Sequence, residues 1–193
     1  IKREVYRFLK DEGIVAHTQS RLLKVEPTDA GGVRVLIHDA SDGRDHVISG
    51  SHLLNAVGRI PNTDRLNLES VGVQVDERGF VVVSDQLETT APGIYALGDI
   101  NGKGAFTHTS YMDYEIVRDN LLHGASRSWR DRIPAYALYT DPPLGRVGLS
   151  EDEARRSGRR MLMAVKPMTS IGRAVEQAET YGFIKILVDA DSE

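Results

Sequence analysis

The stretch TTAPGIYALGDI, residues 89–100, constrains the fold of this chain more than any other. Its short apolar run leads into Gly98 and Asp99, and a second glycine-rich segment then precedes THTSYMDYEIVRDNLLHG, whose apolar residues recur at helical spacing. The order predicts a parallel strand ending at Leu97, a turn, and a helix that starts near Thr107. Ligands of α/β folds bind along the carboxyl edge of the sheet, which is where this order places Asp99.

Asp99 therefore has two interpretations. A carboxylate at a sheet edge can accept hydrogen bonds from the hydroxyls of a sugar or polyol, and Gly98 beside it lets a ligand approach the backbone closely. The start of the following helix adds unpaired amides and a partial positive charge. The alternative is an aspartate that only shapes a turn or caps a helix, and the pattern alone favours this alternative. The segment GKGAFT is no phosphate-binding glycine loop, since Thr107 stands where the third glycine would be.

The chain before residue 60 contains a helix followed by strands. EVYRFLKDEG predicts a short amphipathic helix that ends at Gly13. From residue 14 to residue 57, strand-like runs alternate with the turn segments TDAGG and SDGRD, which predicts an antiparallel meander. Two short β-rich segments are predicted between residue 66 and the motif at residues 89–100.

The second half of the chain carries clear helix boundaries. Ser110 and Asp113 are compatible with a capping box for the long helix, and Gly124 with its end. Residues 126–134 are interpreted as a polar linker. The sequence from residue 134 to residue 193 predicts a strand, a proline-bent turn, a second strand, a helix capped by Ser150 and Glu153, and two further strands.

Composition narrows the class of protein. The 193 residues are 40% hydrophobic with a net charge of −4, so no overall positive field favours nucleic acid. No apolar run reaches the roughly 20 residues that a bilayer requires, so we expect no membrane partner and a cytoplasmic location. The absence of cysteine excludes disulfides and thiolate chemistry within the chain. The six histidines show no metal-ligand spacing, and we predict no metal site.

Two elements together indicate a family. GRIPNT at residues 58–63, followed by TTAPGIYALGD at 89–99, resembles two paired signatures of the flavoprotein pyridine nucleotide-disulfide oxidoreductases, which include dihydrolipoamide dehydrogenase, glutathione reductase and mercuric reductase. IPAYALYTDPPLGRVGLSEDEAR and GRAVEQAETYGFIKILVDA resemble the start of that family's interface domain. The resemblance covers essentially the whole chain.

The resemblance implies a fold class of α/β and α+β, in which part of a two-dinucleotide-binding-domain reductase precedes an α+β interface domain. Residues 1–60 would belong to the NAD(P)-binding domain and residues 61–130 to the FAD-binding domain. Residues 131–193 would begin the interface, or dimerisation, domain and form a homodimer.

The resemblance also implies cofactor contacts. Asp99, with Gly98 beside it, would bind the ribityl chain of FAD, and the helix start would direct its amides at the pyrimidine edge of the flavin. The residues of that helix start are Ala105, Phe106, Thr107 and His108. Gly58 would lie beside the nicotinamide of NAD(P), whereas Arg59 is more often structural. His108 is expected to contribute its backbone amide rather than an acid or base.

A complete member of the family also has two glycine loops, a redox cysteine pair and a C-terminal His and Glu pair, none of which is in this sequence. We therefore expect the middle and later part of a longer enzyme, with no catalytic residue in this chain. The implied reaction passes hydride from NAD(P)H through flavin to a disulfide or a metal ion. The alternatives are a flavin-only transhydrogenase or oxidase, or a non-catalytic dimerisation module.

Overall fold

The computed structural model describes residues 2–192, which form two compact units. One unit contains the chain up to Val57 and again from Arg159 onwards, and the other contains Gly58–Gly158. The fold class predicted from the sequence, α/β and α+β, is confirmed by the mixed helices and sheets and by the structural relatives reported below. The domain limits at residues 60 and 130 stay a prediction.

The first unit begins with the predicted helix, α1, over Lys2–Asp11. Phe8 is buried on its apolar face, and Gly13 ends the helix in a left-handed conformation, with φ of 80°. The Gly13 amide donates to the carbonyl of Lys10, and the Ile14 amide donates to that of Leu9. These bonds satisfy carbonyls at the helix end, as expected for a glycine in this position.

The predicted meander is confirmed. Strands β1 (Ser20–Pro27), β2 (Val33–Asp39) and β3 (Arg44–Gly50) form one antiparallel sheet in that order. The register of β1 against β2 shifts between Leu22 and Lys24, a local irregularity. The third sequence run was expected to continue to residue 57, but β3 ends at Gly50, because residues 51–57 pair with no strand in the described part of the chain.

The same unit ends with a two-stranded antiparallel sheet. Strands β6 (Met161–Pro167) and β7 (Phe183–Asp189) pair along their full length. A single 3-10 turn and the short helix α4 (Gly172–Glu176) connect them. Both strands were predicted from their apolar and β-branched residues.

The second unit packs around a small apolar core to which the segment at residues 89–100 contributes. The core contains Val73, Val81, Ala91 and Ala96, and Leu87 is fully buried. Isolated antiparallel bridges join Val75 to Val81, Val83 to Thr89 and Glu88 to Tyr95.

The prediction of a parallel strand ending at Leu97 was wrong. Among residues 2–192, Tyr95 pairs only with Glu88, and that pairing is an antiparallel bridge.

The long helix of the second unit, α2, runs over Thr107–His123, close to its predicted bounds. Gly124 ends it with φ of 63°, as predicted. The capping box of Ser110 and Asp113 was wrong, because both residues lie inside the helix. Thr109 has the capping role instead, since its Oγ1 accepts a hydrogen bond from the Phe106 amide at 3.2 Å.

The remaining elements of this unit follow the sequence pattern. Strands β4 (Ala135–Leu138) and β5 (Leu144–Val147) pair antiparallel, and helix α3 (Glu151–Arg156) follows them. Ser150 and Glu153 form the predicted capping box, each side chain bonding the other residue's backbone amide. No helix within residues 2–192 has both the length and the apolar character that crossing a membrane would require.

Candidate functional site

The turn that carries Asp99 is a single 3-10 turn over Gly98–Asn101. Gly98 has φ of 77°, a left-handed conformation that side chains other than glycine rarely adopt. A Cβ at this position would also come within 2.8 Å of Ser110 Oγ on helix α2. Conformation and close packing both require glycine before Asp99, so the glycine supports the turn in addition to any ligand.

Asp99 is half exposed and forms an ion pair. Its Oδ2 lies 2.8 Å from Nη2 of Arg59, and the exposed fractions of the two side chains are 51% and 69%. The same Arg59 nitrogen donates to the carbonyl of Ala105 at 3.2 Å. The arginine thus joins the GRIPNT segment, the Asp99 turn and the segment that enters helix α2. A structural role for Arg59 was the more common expectation, and these two contacts are the link that it makes.

The four residues predicted to face a flavin edge lie at the start of α2. Phe106 is extended, with φ of −130° and ψ of 152°, and the helix begins at Thr107. The Phe106 amide already donates to Thr109 Oγ1, so it is less suited to a ligand than its neighbours. The first turn of α2 contains no acidic residue, which leaves the positive end of the helix dipole uncompensated there.

The His108 ring is fixed by two contacts. Its Nε2 lies 3.0 Å from the carbonyl of Ala135 on strand β4, and its ring stacks on Phe106 with centroids 5.3 Å apart. Because a carbonyl oxygen only accepts, Nε2 must carry the hydrogen in this contact. The ring is therefore held as a hydrogen-bond donor through Nε2.

An open cleft lies beside these two rings. Its volume is about 310 Å³, and it is lined by Phe106, His108 and residues of strands β4 and β5. Tyr136 and Arg146 meet in its wall, where Arg146 Nη1 donates to the Tyr136 hydroxyl at 3.2 Å. That bond is the main cause that raises the pKa of Arg146.

Gly58, predicted to lie beside the nicotinamide cofactor, has φ of 119°. Apart from Gly58 and its two neighbours in sequence, no heavy atom of the described residues lies within 4 Å of the position that a Cβ would take there. The backbone at Gly58 is thus open to the approach of a flat ring. Arg59, its neighbour in sequence, connects this segment to Asp99 and Ala105.

A buried ion pair that the sequence did not predict lies behind the Asp99 turn. Asp113 on helix α2 is 1% exposed and pairs with Arg132. Its Oδ2 accepts hydrogen bonds from the Gly98 amide and from Asn101 Nδ2, both at 2.9 Å. Residues 126–134 are therefore more than a polar linker, because Arg132 is anchored in the unit. One feature of the sequence could have indicated that Asp113 is buried. It lies three residues before Ile116, and this spacing places both residues on the same face of the helix.

A group of potential metal ligands lies elsewhere, in the β2–β3 hairpin. Oxygen or nitrogen atoms of Asp39, Asp42 and His46 approach one another within 4.8 Å, although the sequence suggested no carboxylate cluster beside a histidine. Hairpin hydrogen bonds account for this geometry. Ser41 donates to Asp39 through both its hydroxyl and its amide, which lowers the pKa of Asp39, and His46 Nε2 contacts Asp42 at 2.8 Å.

Comparison with known proteins supports the sequence resemblance over most of the chain. Residues 1–113 match the family model described as pyridine nucleotide-disulphide oxidoreductase, and residues 134–193 match the model of the dimerisation domain of the same enzymes. The second match begins within a few residues of the predicted start of the interface domain.

Curated relatives agree with these matches. The probable pyridine nucleotide-disulfide oxidoreductase RclA of Escherichia coli (strain K12) is 45% identical over 139 residues, which are 71% of this chain and 31% of RclA. Dihydrolipoyl dehydrogenase of Thermus scotoductus is 34% identical over 96% of this chain and 40% of its own length. Mercuric reductase of Staphylococcus aureus is 32% identical over the whole chain and 35% of its own length.

Structural comparison gives the same result. The solved structure titled HOCl-induced flavoprotein disulfide reductase RclA from Escherichia coli has a TM-score of 0.85 and 35% identity to this chain. It matches 98% of this chain, which corresponds to 42% of the RclA chain. The chain thus spans less than half the length of the relatives that it matches. It belongs to the pyridine nucleotide-disulphide oxidoreductase family.

Proposed function

We propose that this chain is a segment of an FAD-dependent oxidoreductase that passes hydride from NAD(P)H through flavin to a disulfide or a metal ion. Membership of the family and the Asp99 turn together support the proposal. The observation that carries it is a half-exposed carboxylate beside the start of a 17-residue helix. The bound flavin would supply the hydride-transfer chemistry, and the chain would supply binding, orientation and electrostatics.

The residues present fit such a cofactor. The Asp99 carboxylate offers acceptors suited to the hydroxyls of a ribityl chain, with Gly98 beside it. The positive end of α2, at residues 105–108, favours electron density on a ring placed before it. Gly58 has open space in front of its backbone, as a site for a nicotinamide ring requires. We therefore assign FAD contacts to Gly98, Asp99 and residues 105–108, and a nicotinamide contact to Gly58.

We also propose a homodimer formed through residues 131–193. The match of residues 134–193 to the dimerisation domain model supports this assembly. A small-molecule or disulfide substrate, and a cytoplasmic location without nucleic acid or membrane, stay predictions from the sequence.

A visible absorption spectrum of the full-length protein, recorded before and after anaerobic addition of NADH or NADPH, tests the function. The expected result is a flavin band that one nucleotide bleaches while a long-wavelength charge-transfer band appears. Bleaching without the second band would favour the flavin-only transhydrogenase or oxidase. A colourless protein that takes up no added FAD would contradict the proposal and favour a dimerisation module.

A further inference from the structure

The buried carboxylate of Asp113 lies directly behind the Asp99 turn. Its residue is 1% exposed, whereas aspartate is almost never fully buried unless it is paired. Burying a charge is costly unless hydrogen bonds and a counter-charge compensate for the lost water. The burial of a charged residue on this helix therefore requires an explanation beyond apolar packing, and its hydrogen-bond partners provide one.

The Asp113 carboxylate holds both ends of the Asp99 turn. Oδ2 accepts from the backbone amide of Gly98, the first residue of the turn, and from the side chain of Asn101, its last residue. Asn101 is also buried, and its Nδ2 donates a second bond to the carbonyl of Ala96. Asp99 lies between these two anchored residues, so its backbone position is set by Asp113 although the two side chains do not meet.

Arg132 extends the same network to the start of helix α2. Its Nη1 donates to Asp113 Oδ1 and, at 3.3 Å, to the carbonyl of Thr109 in the first turn of the helix. Its Nη2 donates to the carbonyl of Lys103 at 3.2 Å, in the loop that follows the Asp99 turn. The Arg132 side chain is only 12% exposed, so little water competes for these bonds.

We propose that Asp113 and Arg132 are positioning residues for the flavin: together they fix the Asp99 turn relative to the start of α2. The inference rests on the proposed function, because those two elements are the ones assigned to the ribityl chain and to the pyrimidine edge. Binding groups that are held in place before the ligand arrives lose less conformational freedom on binding. The pair acts through the backbone and does not itself contact the cofactor.

If Asp113 and Arg132 served only the stability of the fold, their substitution would give a different result. A purely structural pair would lower stability when removed, and FAD affinity would fall only as the folded fraction falls. A positioning pair would also change FAD affinity and the flavin environment in the folded protein. Ile116 provides the matched control, because it is 1% exposed and lies on the same helix three residues after Asp113.

The test compares Asp113→Asn with Ile116→Ala in the full-length protein. Asparagine keeps the shape of the side chain, but it has only one acceptor oxygen. It therefore cannot accept from Gly98 and Asn101 on one side and from Arg132 on the other. The readouts are thermal unfolding of the apoprotein, the dissociation constant for FAD from a fluorescence titration, and the circular dichroism and midpoint potential of flavin at saturating FAD.

We expect Asp113→Asn to weaken FAD binding by about tenfold or more and to change the flavin dichroism and potential. Ile116→Ala should destabilise the protein while the spectrum and potential of bound flavin stay those of the wild type. If both variants leave bound flavin unchanged, the inference is overturned while the proposed function stands. A wild-type protein that binds no FAD would instead overturn the proposed function.

Arg132→Lys keeps the test decisive if Asp113→Asn does not fold. Lysine retains a cation for Asp113 but loses the planar fork that also bonds the Thr109 and Lys103 carbonyls. The expected result is a folded protein with weaker FAD binding and altered dichroism. Wild-type affinity together with wild-type dichroism in Arg132→Lys would overturn the role assigned to the pair.

Discussion

At the scale of single residues, two ion pairs near Asp99 differ in strength. The Arg59 and Asp99 side chains are both more than half exposed, and such surface pairs contribute about 0–1 kcal/mol. The Arg132 and Asp113 pair is buried, and removing one partner of a buried pair typically costs about 3–5 kcal/mol. The exposed pair can therefore exchange partners when a ligand arrives, whereas the buried pair stays fixed.

Asp99→Ala is expected to weaken FAD binding by about tenfold or more, because hydrogen bonds to a charged acceptor contribute about 1.5–3 kcal/mol each. A fluorescence titration of the full-length apoprotein with FAD measures the change. Asp64→Ala is the control, since the Asp64 side chain is 78% exposed and its nearest ion-pair distance is 3.9 Å. Equal FAD affinity in both variants would contradict the FAD contact assigned to Asp99.

Gly58→Ala is expected to raise KM for NADH or NADPH severalfold, because a methyl group would fill the open space before the backbone. Its positive φ also adds strain of about 1–2 kcal/mol. Gly72→Ala is a matched control, since Gly72 has φ of 78° and equally open surroundings. Steady-state kinetics should show a raised KM in the first variant only; a similar rise in the second would indicate general strain.

At the scale of elements, local signals predicted most of the structure. Helix α1, the meander and helix α3 were predicted because a cap, a glycine end or a turn sequence lies within a few residues of each. The prediction of a parallel strand ending at Leu97 was wrong, because a strand depends on a partner that no local pattern supplies. The bond from Arg132 to Asp113 was also missed, since it joins residues 19 positions apart and both had plausible surface roles.

The same reasoning applies to the site. Asp99, Gly98 and Gly58 were predicted because family signatures mark them, and their assigned roles stay predictions. The link that Arg59 makes to Asp99 and Ala105 could not be predicted, since it depends on how three separate segments fold onto one another. Sequence patterns thus predicted candidate groups for the site, but they could not predict the contacts that Arg59 makes between these segments.

The cap of helix α3 predicts a pH dependence of stability. Hydrogen bonds from Ser150, followed by the contact with Arg146, lower the pKa of Glu153 to about 2 from its ordinary value of 4.5. A carboxyl whose pKa is lowered on folding stabilises the protein fully above the unfolded pKa. That contribution is lost as the pH falls from about 4.5 through about 2.

Glu153→Gln should therefore lower the thermal unfolding midpoint at pH 6, and the difference from the wild type should shrink as the pH falls towards 2. Thermal melts at several pH values measure this difference. Asp152→Asn is the control, because Asp152 lies in the same helical turn but outside the capping box. A difference that does not vary with pH would contradict the assigned role of the carboxylate.

At the scale of the whole molecule, the match to a dimerisation domain predicts the oligomeric state. Sedimentation equilibrium of the full-length protein should give twice the mass of one chain. We expect this mass with and without FAD, since the proposed dimer is formed by residues 131–193 and the assigned FAD contacts precede them. A single-chain mass at micromolar concentrations would contradict the proposed homodimer.

The position of Arg132 also limits how proteins of this family could be recombined. By sequence, Arg132 falls in the predicted interface portion, yet its two terminal guanidinium nitrogens donate to Thr109, Asp113 and Lys103. A chimera joined near residue 125 would take its arginine from the other parent and leave Asp113 dependent on a foreign residue. A crossover at Pro134 takes Arg132 and Asp113 from the same parent protein and so preserves their hydrogen bond. The boundary at which segments can be exchanged therefore lies after Arg132.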